Sequence, residues 1–155
     1  MKLRIVSLGS KMPAWIDAGY AEYARRLPHE YALELIELKP EARDRGRTAP
    51  QLLAAEAMRI DAACTGYDMV ALDERGSAWT TRMLADKLAH WRDDARDMAF
   101  VVGSADGLDP ALKGAARERF ALSALTLPHG LVRVVLAEQL YRAASLLAGH
   151  PYHRD

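Results

Sequence analysis

The chain has a single cysteine, Cys64, among 155 residues. A lone thiol excludes an internal disulfide framework and a cysteine-rich metal or iron–sulfur centre. A reducing, cytoplasmic setting is the expectation that follows. Excess charge of one sign is also missing, since 21 Lys and Arg meet 21 Asp and Glu. That balance excludes a protein that coats nucleic acid by charge alone, while leaving room for a local basic patch that reads one folded RNA site. No run approaches the roughly 20 apolar residues that span a bilayer. The opening MKLRIVSLGSKMPAW has no apolar signal core, because Pro13 and charges interrupt it. Internal repeats, linkers and low-complexity segments are absent, so residues 1–155 are expected to form one soluble domain. What is abundant is apolar material: 50% of the residues are hydrophobic, enough for a sizeable core and too much for disorder.

Periodicity divides the chain into alternating strands and helices. Lys2 to Gly9 reads as a strand. Ser10 and Pro13 signal a helix start, and Trp15, Ile16, Tyr20, Tyr23, Ala24 and Leu27 recur at helical spacing before Pro28 ends the helix. Ala32 to Leu38 alternates as a second strand, and Lys39 to Pro50 reads as an exposed loop. Gln51 to Cys64 is helical, closed by Gly66, and Asp68 to Asp73 is a short apolar strand. Thr80 or Thr81 can cap a helix running to about Asp93, with Leu84, Leu88 and Trp91 inward. Asp97 to Val102 is a strand ending at Gly103, and Asp109–Pro110 opens another helix. A further strand lies within Arg119 to Leu127, and Leu131 to Leu147 is the last helix, stopped by Gly149 and Pro151. Helical crossovers join parallel strands, so the expected class is α/β, a mostly parallel sheet with helices on both faces.

Ligands in such sheets bind beyond the carboxyl ends of the strands. Three of those ends carry distinctive chemistry: Leu72–Asp73, the turn Gly103-Ser104-Ala105-Asp106-Gly107, and Ser123 to Pro128. Glycines can bring bare backbone against a ligand, although G-x-x-x-G alone also describes a plain tight turn. The spacing matches neither the dinucleotide fingerprint nor a phosphate-binding loop. A flat adenine can lie on Leu125 and Leu127, while the same run also reads as an ordinary buried strand. His129 opens the last helix, whose positive dipole end favours a neutral imidazole able to accept a proton or orient a carbonyl. Arg133 lies one turn on, and Glu138 with Arg142 has the spacing of a helix ion pair. That helix is apolar on more than one side, which burial between the sheet and a second subunit would satisfy. Arg25, Arg26, Lys39, Arg43, Arg45 and Arg47 are either a phosphate-contacting patch or a solvated surface, and the interleaved Glu41 and Asp44 favour the surface. The tail Tyr152, His153 and Arg154 pairs a stacking ring with polar donors suited to a base splayed from RNA, or is a frayed end. His150 and His153 lack acidic or cysteine partners at ligand spacing, so no metal is expected.

The segment LSALTLPHGLVRVVLAEQLYRA with the terminal HPYHRD resembles the SPOUT methyltransferase superfamily, in particular its members acting on large-subunit ribosomal RNA. The opening fifteen residues, Glu22-Tyr23-Ala24-Arg25-Arg26, and the spacing from Leu72-Asp73 to Gly103 to Leu122 resemble it too. The resemblance implies S-adenosyl-L-methionine as cofactor, methylation of N3 of a pseudouridine in 23S ribosomal RNA on the assembled ribosome, a homodimer, and a C-terminal trefoil knot shaping the cofactor pocket. By position, the cofactor would meet Leu72, Asp73, Gly103, Ser104, Gly107, Leu122, Ser123, Ala124, Leu125, Thr126, Leu127 and Pro128. His129, Arg133, Arg142, Tyr152, His153 and Arg154 would face the substrate. One departure stands out: the family's Gly-Gly-Pro-Glu-Gly turn is Gly103-Ser104-Ala105-Asp106-Gly107 here, which keeps the outer glycines and an acid. That change leaves a second reading, a non-catalytic ribosome-associated factor with the same fold.

Overall fold

The computed structural model describes residues 1–43 and 46–153. Its strands are β1 (Lys2–Leu8), β2 (Ala32–Leu38), β3 (Asp68–Ala78), β4 (Met98–Val102) and β5 (Glu118–Ala121). Its helices are α1 (Ala14–Ala24), α2 (Ala49–Ala63), α3 (Thr81–Asp93), α4 (Pro110–Ala115) and α5 (His129–Leu147). All strand pairs are parallel, in the order β2-β1-β4-β3-β5. The first crossover steps outward from β1 to β2, while the later strands lie on the other side of β1. The order thus reverses in mid-sheet, the arrangement that opens a crevice at the carboxyl edge.

Helix starts follow from local chemistry. Thr48 accepts from the Gln51 amide at 3.3 Å while the Gln51 side chain accepts from the Thr48 amide at 2.9 Å, a reciprocal capping box. Thr80 caps α3, accepting from the Met83 amide at 3.1 Å. Asp109 caps α4, accepting from the Ala111 and Leu112 amides at 3.0 and 3.1 Å. Each such cap contributes about 1 kcal/mol. α1 begins differently from the sequence expectation: Pro13, with extended backbone, precedes it and no side chain caps it, so Ser10 has no capping role.

Strand alternation sorts the core onto two faces. Leu3, Ile5, Met98 and Phe100 pack with Leu84, Leu88 and Trp91 of α3 and Leu136 and Leu140 of α5. Val6, Leu8, Ala99 and Val101 meet Ile60 of α2, Cys64 and Leu112 of α4 on the opposite face. Both faces of the sheet are therefore covered, and β4 is buried throughout.

Three expectations need correction. Trp15, counted with Ile16 among the residues at helical spacing in α1, is 62% exposed, whereas Ile16 is buried. β3 does not stop at Asp73. Its pairing with β5 shifts register between Leu72 and Ser77, so Asp73 to Gly76 leave the ladder before the strand resumes. A Cβ on Gly76 would lie 2.7 Å from the backbone of Arg119 in β5, so only glycine lets the excursion close against its neighbour. Finally, β5 ends at Ala121, and Ser123 to Pro128 is a loop rather than a buried strand, with Leu125 75% exposed.

Candidate functional site

Beyond the carboxyl ends of β3, β4 and β5 lies a cavity of about 520 Å³. One wall is the turn after β4. Gly103 is buried, and a Cβ there would sit 2.5 Å from the Gly107 carbonyl oxygen, closer than any side chain tolerates. Gly107 has φ +83°, and its amide donates to the Ser104 carbonyl at 2.9 Å. The turn closes on itself through these two glycines, and its backbone fronts the cavity.

This turn is held from behind. The Ser104 hydroxyl donates to Glu56 of α2 at 3.0 Å and accepts from Arg43 at 2.7 Å. Arg43 also donates to Glu56 at 2.6 Å and meets Asp106 at 3.0 Å. Glu56 itself is only 2% exposed. Ser104, which departs from the family pattern, and Asp106, which keeps its acid, thus tie the turn to a buried carboxylate through Arg43.

The facing wall is the loop Leu122 to Leu127, all of which lines the cavity. Ser123 accepts from the Leu125 amide at 2.9 Å, a local turn that presents Leu125 at the rim. From β3 come Leu72 and Asp73, the latter 3.4 Å from Lys113 of α4. His129 and Val132 of α5 complete the lining. Pro128 caps α5 and lies outside the lining.

The remaining proposed residues are elsewhere. Arg133 is fully buried and does not line the cavity, which corrects its expected substrate-facing place. It donates to Glu37 of β2 at 2.8 Å, to Ser7 of β1 at 3.2 Å and to the Gly9 carbonyl at 3.4 Å, fastening α5 to the sheet. Arg142 is about 20 Å further along α5 from His129 at 1.5 Å rise per residue. It lines a second cavity of about 470 Å³ with His153, Thr80, Thr81 and Gln139. Glu138 organises this end. It accepts from Arg142 at 2.6 and 2.8 Å and from the Tyr152 hydroxyl at 3.1 Å. The Tyr152 ring lies 4.5 Å from that of Tyr141, with the Arg142 guanidinium 4.9 Å from its centroid. Burial first, and then the hydrogen bond to Glu138, push the Tyr152 phenol above its ordinary range. The tail is docked as far as His153 rather than frayed, and Arg154 lies outside the described residues.

A family model described as "Predicted SPOUT methyltransferase" matches residues 1–153. The chain belongs to the SPOUT methyltransferase family. It is 59% identical, over 99% of both chains, to the Ribosomal RNA large subunit methyltransferase H of Nitrosospira multiformis. The protein of that name from Burkholderia multivorans is 57% identical, again over 99% of each chain. Among solved structures, a probable methylase family protein from Haemophilus influenzae superposes with TM-score 0.60 at 15% identity, covering 99% of this chain and 70% of that one. A tRNA methyltransferase from Aquifex aeolicus gives TM-score 0.52 at 13% identity, covering 90% of this chain and 70% of that one. At such identities the two structures speak for a shared fold.

Within this SPOUT chain, sequence reasoning missed Glu74, Arg75, Lys113 and Val132 as cavity-lining residues. Glu74 and Arg75 enter the wall because β3 leaves its ladder there. The one available signal was Gly76, an isolated glycine in a strand pattern, which marks a bulge. The basic residues of the first third are not a free patch. Arg25 and Arg26 pair with Glu22, Arg43 with Glu56 and Asp106, and Arg47 with Glu41, while Arg45 lies outside the described residues.

Proposed function

We propose that this SPOUT methyltransferase carries a methyl group from S-adenosyl-L-methionine to N3 of a pseudouridine in 23S ribosomal RNA, acting on the assembled ribosome as a homodimer. Residues 1–155 work as one methyltransferase domain in this reading. The observation that carries it is the convergence of two segments remote in sequence, the Gly103–Gly107 turn and the Leu122–Leu127 loop, on one cavity. Its volume lies within the ~300–1,000 Å³ of small-molecule sites. The donor set suits an adenosine-bearing cofactor. Close-approach backbone on one wall can bond a purine edge or ribose, and Leu72, Leu125 and Leu127 offer apolar surface for a flat ring. Choice of ribosomal RNA is supported by the names of the 59% and 57% identical relatives. The nucleotide, its N3 atom, the ribosomal state and the trefoil knot rest on the resemblance of the C-terminal block.

The cofactor supplies an already activated methyl group. What the protein adds is alignment, which can lower the barrier by about 7–11 kcal/mol when the reacting atoms are held in line. The glycine turn fixes one side of the cavity and the Leu122–Leu127 loop the other, while His129 stands where α5 meets it. The attacking ring nitrogen must lose a proton, and His129 or a tail residue takes or orients it. Arg142 stands about 20 Å along α5 from His129, and Tyr152 and His153 gather around it rather than in the cavity lining of their own chain. In the homodimer the tail of one subunit therefore completes the cavity of the other. The half-buried apolar side chains of α5, such as Leu131 and Val135, supply the contact surface. Inactive cavity variants mixed with inactive tail variants should recover activity by sharing sites.

Mass spectrometry of 23S ribosomal RNA from cells with and without the protein tests the reading. A pseudouridine that gains one methyl group only with the protein supports it, and identical spectra reject it. Calorimetric titration with S-adenosyl-L-methionine separates the non-catalytic alternative, which predicts no binding.

A further inference from the structure

We infer that Arg75, on the rim of the cavity, and Arg119, which shares a neighbouring surface depression with it, are phosphate contacts that seat the RNA strand bearing the target base. This rests on the function proposed above and names one part of its substrate surface. The first ground is how this protein uses its arginines. Nearly all described ones are neutralised, Arg4 by Glu34, Arg96 by Asp68 and Asp94, Arg117 by Asp68 and Arg142 by Glu138. Arg75 and Arg119 are exposed, and neither side chain makes an ion pair or hydrogen bond among the described residues. Of the nearby carboxylates, Glu118 is engaged with Lys87 and Asp73 with Lys113, which leaves Glu74 as the one neighbour on this wall without an ion pair among the described residues. In a protein of zero net charge, two unpaired guanidinium groups against the single free carboxylate of Glu74 leave a local excess of positive charge that the whole chain lacks.

The second ground is position. Arg75 belongs to the β3 excursion and lines the cavity rim. The backbone of Arg119 touches Gly76, and both arginines edge one surface depression with Ser77. The pair therefore continues outward from the place where a base must enter. Arginine forks match phosphate oxygens, and such contacts fix register without reading sequence. β5 is also the edge strand, and charge on an edge can serve merely to block pairing with another sheet. The test separates these roles.

Arg75→Gln, Arg119→Gln and the double variant are compared with the intact protein on ribosomes over a salt series. Arg119 lies outside the cavity lining and is the cleaner probe. The expected result is a several-fold rise in KM for ribosomes. The slope of log KM against log salt should flatten by about 1 per arginine removed. Arg119→Glu should raise KM further than Arg119→Gln, and cofactor affinity of the Arg119 variants by calorimetry should match the parent. Unchanged KM and salt slope in the double variant overturn the inference, and if that variant also aggregates, the arginines guard the edge. Weakened cofactor binding by Arg75→Gln, with ribosome KM unmoved, overturns it by assigning Arg75 to the cofactor. If the intact protein transfers no methyl group, the functional reading itself fails, a result distinct from an active enzyme indifferent to both substitutions.

Discussion

Removing the Glu56 carboxylate should loosen the Gly103–Gly107 turn from behind. Three donors converge on this side chain: Arg43 at 2.6 Å, the Ser104 hydroxyl at 3.0 Å and the Glu41 amide at 3.0 Å. Breaking a fully buried ion pair by deleting one partner costs about 3–5 kcal/mol. Glu56 is 2% exposed, but the Arg43 side chain is 35% exposed and keeps Asp106, so water and a second acid recover part of that loss. Glu56→Ala should therefore destabilise by about 2–3 kcal/mol. Glu56→Gln keeps an acceptor and should cost about 1–2 kcal/mol. At about 2–4 °C per kcal/mol for a chain of this size, the alanine variant should melt about 5–10 °C lower. Because Ser104 and Asp106 belong to the turn, cofactor affinity should fall in both variants, in the same order as stability. Thermal denaturation and calorimetric titration measure the two effects. A Glu56→Ala protein that melts with the parent and binds cofactor equally well would refute the bracing role.

Three further outcomes follow from the geometry. Gly103→Val places a side chain where even a Cβ would lie 2.5 Å from the Gly107 carbonyl, so cofactor affinity should drop before global stability does; unchanged affinity would make the turn merely structural. Deleting residues 151–155 should spare cofactor binding and abolish methyl transfer, and lost cofactor affinity in the truncated protein would contradict that division. Burial, with Asp61 adding to it, pushes the Cys64 thiol up to about 11, and burial with Glu34 pushes the Tyr20 phenol up to about 12. Both favour the protonated form in the fold. Their contribution is complete below pH 9 and is lost as pH rises to about 11 for Cys64 and from about 10 to 12 for Tyr20. Urea denaturation between pH 7 and 11 should show stability falling only above about pH 9, and a flat profile would count against it.

The layered α/β plan was legible because its signals are local. Thr80, and Asp109 with Pro110, each announce a helix start within four residues and cap as their side-chain chemistry requires, whereas the Thr48–Gln51 box went unread and starts α2 at Ala49, inside the segment expected to be loop. The glycine turn and the loop after β5 were also readable as strand ends. What could not be read locally depended on partners far along the chain. Arg133 looked like a substrate residue because it follows His129 by one turn, yet Glu37 and Ser7 claim it. Arg43 sat in an unremarkable charged loop, and only the fold brings Glu56 and Ser104 to it. The β3 excursion was hidden because Asp-Glu-Arg-Gly carries no period, so the wall residues Glu74 and Arg75 had no signature beyond Gly76.

The buried guanidinium of Arg133 bolts the helix that walls the cavity to strands laid down at the very start of the chain. A nascent polypeptide can assemble all five strands and still lack a finished binding chamber until its last helix emerges and finds Ser7 and Glu37. Contacts joining such distant parts of a sequence form slowly, because the intervening chain must first be closed into a loop. Competence to hold the cofactor is thus a late event in maturation, and damage to the first strand would be felt at the opposite end of the polypeptide.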